Sequence, residues 1–362
     1  MSGGLDSSTI VCSINNLLKE KNIQSIGEKQ NVFTVCYGIK PFDEKEWAAE
    51  VVNATQSVWH TVYPDGSDMM NDLEDLVYYQ DIPFTSTTMY AQYRVMQLAQ
   101  RAGVKVLLDG QGGDELFAGY TSFYRAFFIE MIRHFQVSRL TREIAHLSNS
   151  PTHLPFIASS SLYLLGVSKL STAWRNRFIL ATSGEARYIS RDFWRENISR
   201  LQKQDRILSG QLNEALAQHM CGHELKSLLR YEDRNSMRFS IEARVPFADD
   251  INLIEYLFSI PSVYKIHDGW SKYILRNAMQ GIIPDRIKKR KDKTFFQPPE
   301  FIWLSQEKSA FKKYFTPEMS RFLNVDQLLK DWPHARYIQH NLNFTFMWRM
   351  LNLAVWLKVY DL

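Results

Sequence analysis

"MSGGLDSSTIV", residues 1–11, combines a glycine-rich turn with the start of a helix. Gly3 and Gly4 let the backbone turn sharply and leave amide N–H groups without a neighbouring Cβ. Apolar residues then recur at helical spacing, which predicts a helix over residues 7–21. The N–H groups at a helix start are unpaired and carry about half a positive charge. The stretch therefore predicts a loop that binds a phosphate or pyrophosphate.

Asp6 is the unusual member of this loop, because a carboxylate repels phosphate. Two roles suit it: an N-cap of the helix, or a ligand of Mg²⁺ beside a nucleotide. The loop is not of the Walker A type, since no Gly-Lys-Ser/Thr follows at the required spacing. A capped turn without a ligand is the alternative that the local residues leave open.

Composition limits the classes of protein to consider. The chain has 362 residues, of which 45% are hydrophobic, so it can bury a large core as one domain or two lobes. A net charge of +4 suits anionic ligands but comes without the dense basic blocks of a nucleic-acid-binding protein. Three widely spaced cysteines favour a reducing cytoplasm. No apolar run reaches the roughly 18 residues of a membrane span, so no membrane partner is expected. The lack of dense basic blocks argues against a nucleic-acid partner.

Strand and helix patterns alternate over the first 120 residues. Strands are predicted at residues 31–38, 57–64 and 104–110, and helices at residues 43–55 and 87–103. This alternation predicts a doubly wound α/β fold, a mostly parallel sheet covered by helices on both faces. Ligands bind such sheets at the carboxyl ends of the strands. From about residue 121 the pattern becomes helical, and residues 150–166 are predicted to be a loop or hinge.

Four later segments are rich in glycine and charge: "LLDGQGGDELFAGY" (107–120), "LLRYEDRNSMRFSIEARVPFADD" (228–250), "GWSKYILRNAMQGIIP" (269–284) and "RIKKRKDKTFFQPPEFIWL" (286–304). Lys272 and Arg276 lie four apart, on one face of a predicted helix. The basic run at 288–293 is either a solvated face or a phosphate contact. His219 and His223 are also four apart, but no clear third ligand accompanies them, so metal binding there is disfavoured.

These motifs, in this order, resemble the synthetase domain of glutamine-dependent asparagine synthetases. The resemblance depends on SGGLDSS, G-x-G-G-D-E-L-F-x-G-Y, D-R-N-S-M with S-I-E-A-R-V-P-F, K-x-x-L-R and R-K-D-K, from residue 1 to about 305. It implies a PP-loop ATP pyrophosphatase fold followed by a helical lobe. The implied parts are an ATP-binding core at 1–120 that lacks its first strand, a helical insertion at 121–230, and a helical part at 231–362 that closes the active site.

The resemblance implies an ATP-dependent amide ligase. A carboxylate, with aspartate as the leading substrate, attacks the α-phosphate of ATP, and ammonia then displaces AMP. By the family pattern Asp6 and Asp114 bind Mg²⁺, and Lys272, supported by Arg276, stabilises the transition states. Glu232 or Asp233 accepts the proton of ammonia. The implied ATP-binding residues are Met1, Ser2, Gly3, Gly4, Leu5, Asp6, Ser7, Ser8, Val35, Asp109, Gly110 and Gln111.

Three positions depart from the family pattern. One is Arg238, directly after D-R-N-S-M, where relatives commonly carry a small residue. Gln111 stands where asparagine synthetases often carry Glu, and Gln cannot act as a base. Phe295 stands where Gly is usual. Amidation of another carboxylate, such as a sugar acid or a peptide, therefore stays open as the second reading. A non-catalytic remnant and a tRNA-modifying pyrophosphatase are the other classes, and the lack of zinc-ligand cysteines argues against the latter.

The start of the chain suggests a missing part. In the family a glutaminase domain with a nucleophilic cysteine at its second position precedes the synthetase, whereas Ser2 here already belongs to the phosphate loop. The strand that should lead into the loop is also absent. We therefore expect the back half of a longer protein, or a chain that works with a separate glutaminase domain or subunit. The oligomeric state is left open, with a homodimer among the alternatives.

Overall fold

A computed structural model describes residues 1–20, 29–40, 42–147, 185–201, 210–291, 298–332 and 344–362. The predicted hinge at 150–166 and Phe295 lie outside these ranges. Within them the chain is an α/β protein with mostly helices and small sheets. None of the helices described is long and apolar enough to cross a membrane.

The first part of the chain alternates strands and helices as predicted. Its elements are α1 (Leu5–Glu20), β1 (Asn31–Val35), α2 (Lys45–Thr55), β2 (Val58–Val62), α3 (Gly66–Gln80), α4 (Thr88–Arg101) and β3 (Val106–Leu108). Each strand lies inside a segment predicted to be a strand. Helix α3 was not predicted. Asp65 begins it with a capping box, since its side chain accepts a hydrogen bond from the Asp68 N–H and the Asp68 side chain accepts one from the Asp65 N–H.

The parallel strands form two separate pairs. β1 pairs with β2, with Phe33 opposite His60. β3 pairs with β4 (Glu242–Arg244), with Leu107 opposite Ala243. No described strand joins β1 to β3, so one continuous doubly wound sheet is not seen within the described ranges. β4 was not predicted, because it is three residues long, carries two charges and follows a long helical pattern. One strand of the sheet region, β4, therefore comes from residues 231–362, which were predicted to be helical.

The rest of the described chain is helical apart from one short hairpin. Its helices are α5 (Gly113–Phe117), α6 (Phe123–Arg133), α7 (Val137–Leu147), α8 (Arg191–Leu201), α9 (Leu212–Cys221), α10 (His223–Arg238), α11 (Pro246–Asp249), α12 (Ile251–Ser259), α13 (Tyr273–Ala278), α14 (Asp285–Lys288), α15 (Glu300–Gln306), α16 (Lys308–Lys312), α17 (Val325–Lys330) and α18 (Phe344–Val359). Short 3-10 turns lie at Glu185–Tyr188, Ser262–Tyr264 and Pro317–Arg321. The hairpin pairs β5 (Ile266–His267) with β6 (Trp270–Ser271) in antiparallel fashion.

One apolar cluster fixes the parts of the site relative to one another. It includes Ile10 of α1, Leu116 of α5, Leu275 of α13 and Ile287 of α14, all buried. A larger cluster packs β1, α3 and α4 against α18. The smaller cluster holds α1, α5 and α13 together, and the first turn of α1, the first turn of α5 and the residue before α13 carry the candidate functional groups.

Candidate active site

A buried ion cluster lies where these three helices begin. The Lys272 ammonium contacts the Asp114 carboxylate at 2.6 Å and also donates to Asp6. The Lys272 side chain is 7% exposed, and those of Asp6 and Asp114 are 18% and 16% exposed. Burial acts to lower the pKa of Lys272, but the two carboxylates outweigh it and hold that pKa above its ordinary value. The structure thus unites the three residues that the sequence assigned to metal binding and catalysis.

The backbone of two glycines, Gly113 and Gly119, lies in close contact with this ion cluster. A Cβ on Gly113 would lie 2.7 Å from Cγ of Asp6, and a Cβ on Gly119 would lie 1.8 Å from Oδ1 of Asp114. Real Cβ atoms do not approach other atoms so closely, so any larger residue would displace the carboxylates. The glycines of the motif at 107–120 therefore shape the site for the two acids.

Lys272 has an unusual backbone conformation. Its φ is +54°, in the left-handed region that costs a non-glycine residue energy. Its N–H donates to the Phe117 carbonyl at 3.1 Å, and its carbonyl accepts from the Arg276 N–H at 3.0 Å. Neighbouring structure therefore imposes the conformation, and strain of this kind concentrates at functional sites.

The phosphate loop is held mainly by backbone contacts. The Met1 amino group donates to the Phe33 carbonyl of β1, and Ser7 Oγ donates to the Gly4 carbonyl at 3.3 Å. Gly3 has a φ of +68°, and a Cβ there would lie 2.5 Å from the Trp47 backbone. Ser8 is buried, and its hydroxyl has no hydrogen-bond partner among the described residues. Its hydroxyl remains available as a donor at the start of α1.

Arg290 anchors the loop from the far side. It pairs with Glu44 at 2.6 Å, donates to the Gly3 carbonyl at 3.2 Å and stacks on the Trp47 ring at 4.5 Å. Arg290 and Glu44 are both buried. The sequence marks the basic run at 288–293 only as a block and does not mark Glu44 and Trp47 as site residues. Glu44 and Trp47 lie three apart at the start of a predicted helix, but no local pattern links them to Arg290.

Arg276 binds backbone rather than a carboxylate. Its guanidinium donates to the carbonyls of Ser271 at 2.9 Å and Arg290 at 3.0 Å, and also to that of Lys288. Burial lowers its pKa below the usual value. Arg276 thus ties the helix after Lys272 to the segment that carries Arg290.

Glu232 and Asp233 differ sharply in environment. Glu232 is 2% exposed, and burial, followed by the nearby Asp109 carboxylate, raises its pKa to about 10. Asp233, the next residue on α10, is exposed. At neutral pH Glu232 is therefore protonated in this state of the protein.

A cavity of about 2300 Å³ runs from the ion cluster to β1 and β3. The predicted site residues that line it are Met1, Ser2, Gly4, Leu5, Asp6, Ser7, Asp109, Gly110, Gln111, Asp114, Lys272 and Arg276. Those not in its lining are Gly3, Ser8, Val35, Glu232 and Asp233. Val35 is instead packed into the larger apolar cluster. Thr85, Ser86 and Gln92 also line the cavity but belong to no motif, so nothing in the sequence marked them.

Both histidines of the HMCGHE segment line the same cavity. His219 packs edge-on against the Phe123 ring, with centroids 4.8 Å apart. Within the described ranges, the side chains placed to share a metal ion are Glu143, His267 and Asp268, a group that includes neither histidine. Among the residues that the structure describes, the geometry thus gives no third ligand to His219 and His223.

Comparison with known proteins shows to which family the chain belongs. The asparagine synthase family model matches residues 1–358. The chain is 28% identical over 348 residues to glutamine-hydrolyzing asparagine synthetase 3 of Bacillus subtilis, covering 91% of this chain and 50% of that protein. It is 24% identical over 336 residues to amidase chry2 of Gibberella zeae, covering 83% and 49%. The chain spans about half the length of these curated relatives. It belongs to the asparagine synthase family.

Proposed function

We propose that this site adenylates a carboxylate with ATP and then amidates it with ammonia, with aspartate as the first candidate substrate. The observation that carries the proposal is the Lys272 ammonium held by Asp6 and Asp114 beside the glycine-rich loop at 2–8. Family membership supports the same reaction class. Nucleotide, metal and carboxylate would all meet at this end of the cavity.

The loop supplies the donors for pyrophosphate. Gly4 and Ser7 line the cavity, and backbone N–H groups at the start of α1 have no partner within the helix. Asp6 and Asp114 are the proposed Mg²⁺ ligands, because two carboxylates that already hold one cation between them offer the oxygen donors this ion prefers. The ion, when bound, neutralises the charge of the β- and γ-phosphates.

The reaction has two steps. A carboxylate oxygen of the substrate bonds to the α-phosphorus, and the bond to the β-phosphate breaks, releasing pyrophosphate. Ammonia then attacks the acyl carbon, loses a proton, and AMP departs with the carboxylate oxygen. Lys272 is the proposed source of positive charge for both transition states, because it is preorganised and largely excluded from water.

Glu232 and Asp233 remain the proposed acceptors for the proton of ammonia. Glu232 is protonated at neutral pH in this state, so it serves as a base only when bound substrate and Mg²⁺ lower its pKa. Positive charge brought near Asp109, which lines the cavity beside Glu232, would act in that direction. Asp233 is the exposed neighbour of Glu232 on the same helix.

A different carboxylate is the second candidate substrate. Gln111 lines the cavity where asparagine synthetases often carry Glu, and two relatives are called amidases, chry2 and chyE.

The proposed ammonia source is a glutaminase domain or subunit, since the relatives called asparagine synthetases are described as glutamine-hydrolyzing. We also propose that the reaction takes place in the cytoplasm. A panel of aspartate, glutamate, sugar acids and peptides, scored for AMP formation, separates the substrates.

The test of the proposal is carboxylate-dependent exchange of pyrophosphate into ATP. Replacing Asp114 by Asn should abolish exchange by the purified chain, because the metal and Lys272 both lose a carboxylate. Asp285→Asn, at a side chain that is 75% exposed on α14, is the matched control and should leave exchange unchanged. Exchange that persists in Asp114→Asn, with the fold intact by circular dichroism, would refute the metal assignment.

A further inference from the structure

Two imidazoles and two carboxylates meet at the tight turn of the β5–β6 hairpin. Asp268 is the first residue of this turn, with a φ of +49°. Its carboxylate faces His267 of β5 and His146 of α7. Glu143 lies three residues before His146 on the same helix and completes the group. Two histidines with carboxylates are a donor set that Zn²⁺ takes in proteins.

The donor atoms approach one another without forming hydrogen bonds. Nε2 of His267 lies 3.6 Å from Oδ2 of Asp268, and Nε2 of His146 lies 3.8 Å from Oδ1. Both distances exceed the about 3.2 Å of an N–H···O hydrogen bond. Oδ1 of Asp268 is shielded from solvent and has no hydrogen-bond partner among the described residues. Donors around a tetrahedral Zn²⁺, with bonds of about 2.0–2.2 Å, lie about 3.4 Å apart, so the spacing suits an ion between them.

Glu143 holds the turn in this position. It is 2% exposed, and its two oxygens accept the N–H groups of Asp268 at 2.8 Å and Gly269 at 2.9 Å. Each oxygen keeps a further lone pair, and the donor atoms of Glu143, His267 and Asp268 lie within 4.8 Å of one another. The His267 ring also packs against Tyr273, with ring centroids 4.7 Å apart. These three donors are therefore placed before an ion binds.

One cation of the protein competes for this group. The Arg142 guanidinium contacts Oδ2 of Asp268 at 2.8 Å, but its side chain is 63% exposed. An exposed ion pair contributes little to stability, so an ion bound by several donors displaces it. His146 is 46% exposed and lines the large cavity, which gives an ion access from solvent.

We propose that Glu143, His146, His267 and Asp268 form a Zn²⁺ site, separate from the two acids proposed to bind Mg²⁺. Imidazole nitrogen selects Zn²⁺, whereas Mg²⁺ prefers oxygen ligands. The bound ion joins α7 to the hairpin whose second strand, β6, ends directly before Lys272. Zinc at this position restrains the segment that carries the proposed catalytic lysine.

Calorimetric titration of Zn²⁺ into the whole chain tests the site, without ATP and with excess Mg²⁺ to occupy the proposed oxygen site. Asp268→Asn keeps the turn, because Asn tolerates a positive φ, but removes the charge. It should weaken Zn²⁺ binding at least about tenfold, and His267→Gln should do the same. His134→Gln, at an exposed histidine directly after α6, is the matched control and should leave the affinity unchanged.

Hydrogen exchange tests the restraint of the hairpin. At a Zn²⁺ concentration about a hundredfold above its Kd, openings that break the site become about a hundredfold rarer. The amides of Asp268 and Gly269 should then exchange at least tenfold more slowly. Asp268→Asn should abolish this effect of Zn²⁺.

Three results would overturn the proposal. One is no Zn²⁺ binding in the presence of Mg²⁺, and another is equal Zn²⁺ affinity of the unsubstituted chain and Asp268→Asn. The third is binding that His223→Gln abolishes and His267→Gln does not, which would assign the ion to the HMCGHE segment. Because ATP is absent throughout, none of these results bears on the proposed amidation.

Discussion

At the residue scale, Lys272 is the counter-ion of two carboxylates that lie close together. Replacing it by Met leaves Asp6 and Asp114 facing each other in a site where each is less than one-fifth exposed. Breaking a buried pair usually costs about 3–5 kcal/mol, and the partial exposure of the two acids to water reduces the expected loss here to about 1–3 kcal/mol. Urea unfolding measures it. Lys289→Met, at a 71% exposed side chain, is the control and should change the free energy of unfolding by less than about 0.5 kcal/mol.

The same Lys272→Met protein tests whether the acids hold a metal. Mg²⁺ should raise its Tm more than it raises that of the unsubstituted chain, because the ion no longer competes with the ammonium for Asp6 and Asp114. Ca²⁺ serves as a second oxygen-seeking ion and K⁺ as a control for ionic strength. An equal response of both proteins to Mg²⁺ would contradict the assignment.

Catalysis should be more sensitive to Lys272 than stability is. Removal of one preorganised charge that acts in the transition state commonly costs about 3–4 kcal/mol, so Lys272→Ala should lower kcat/KM by a hundredfold or more. The measurement is AMP formation at saturating ATP with ammonium chloride. A loss below tenfold would make Lys272 only a structural partner of the two acids.

Glu232 gives a pH-dependent prediction. Its pKa is about 10 in the folded protein against an ordinary value of 4.5. Between these values the folded state binds more protons than the unfolded state, so this group's contribution to stability falls as pH rises. Glu232→Gln removes the dependence, and its advantage in free energy of unfolding should grow with pH and reach about 1–3 kcal/mol at pH 7. Urea titrations at pH 5, 7 and 9 check this; parallel curves for the two proteins would contradict the assigned environment of Glu232.

At the scale of elements, the phosphate loop depends on close contact with the start of α2. Gly3 and Gly38 share a φ of +68°, but a Cβ on Gly3 would lie 2.5 Å from the Trp47 backbone, whereas a Cβ on Gly38 would meet nothing within 4 Å. Both Ala substitutions therefore carry the cost of a left-handed residue, about 1–2 kcal/mol, and only Gly3→Ala also forces the loop away. Gly3→Ala should weaken ATP binding at least tenfold by calorimetry. Equal ATP affinities of the two variants would refute the role of this contact.

The elements also show what the sequence could and could not predict. Strong local patterns, such as the apolar stripe of α1 and the β-branched segment of β1, gave those elements nearly at their observed bounds. The segments at which α1, α5 and α13 begin were predicted as separate motifs, and the structure brings these segments together. β4 could not be predicted, because Glu242–Arg244 is a strand only through its pairing with β3. Arg290 likewise gains its role from Glu44, about 250 positions earlier in the chain, and no local pattern reports such a pair.

At the scale of the whole molecule, the three cysteines bear on the source of ammonia. Burial raises the pKa of the Cys12 and Cys36 thiols to about 11, so neither forms a thiolate at neutral pH. Cys221 is exposed but does not line the cavity. We therefore expect this chain alone to form amide from ammonium chloride and not from glutamine. Amide formation from glutamine in the absence of ammonium would contradict this.

Isotope transfer tests whether a carboxylate is adenylated in the cavity next to Lys272. The chain is incubated with Mg²⁺, ATP, ammonium and aspartate labelled with ¹⁸O in its side-chain carboxylate, and the products are analysed by mass spectrometry. We expect AMP to acquire one ¹⁸O atom for each amide formed, because AMP departs with the oxygen that attacked the α-phosphorus. Glutamate, sugar acids and peptides labelled in the same way test whether another carboxylate is the substrate. Label in inorganic phosphate with formation of ADP, or AMP that carries no label while amide accumulates, would contradict adenylation.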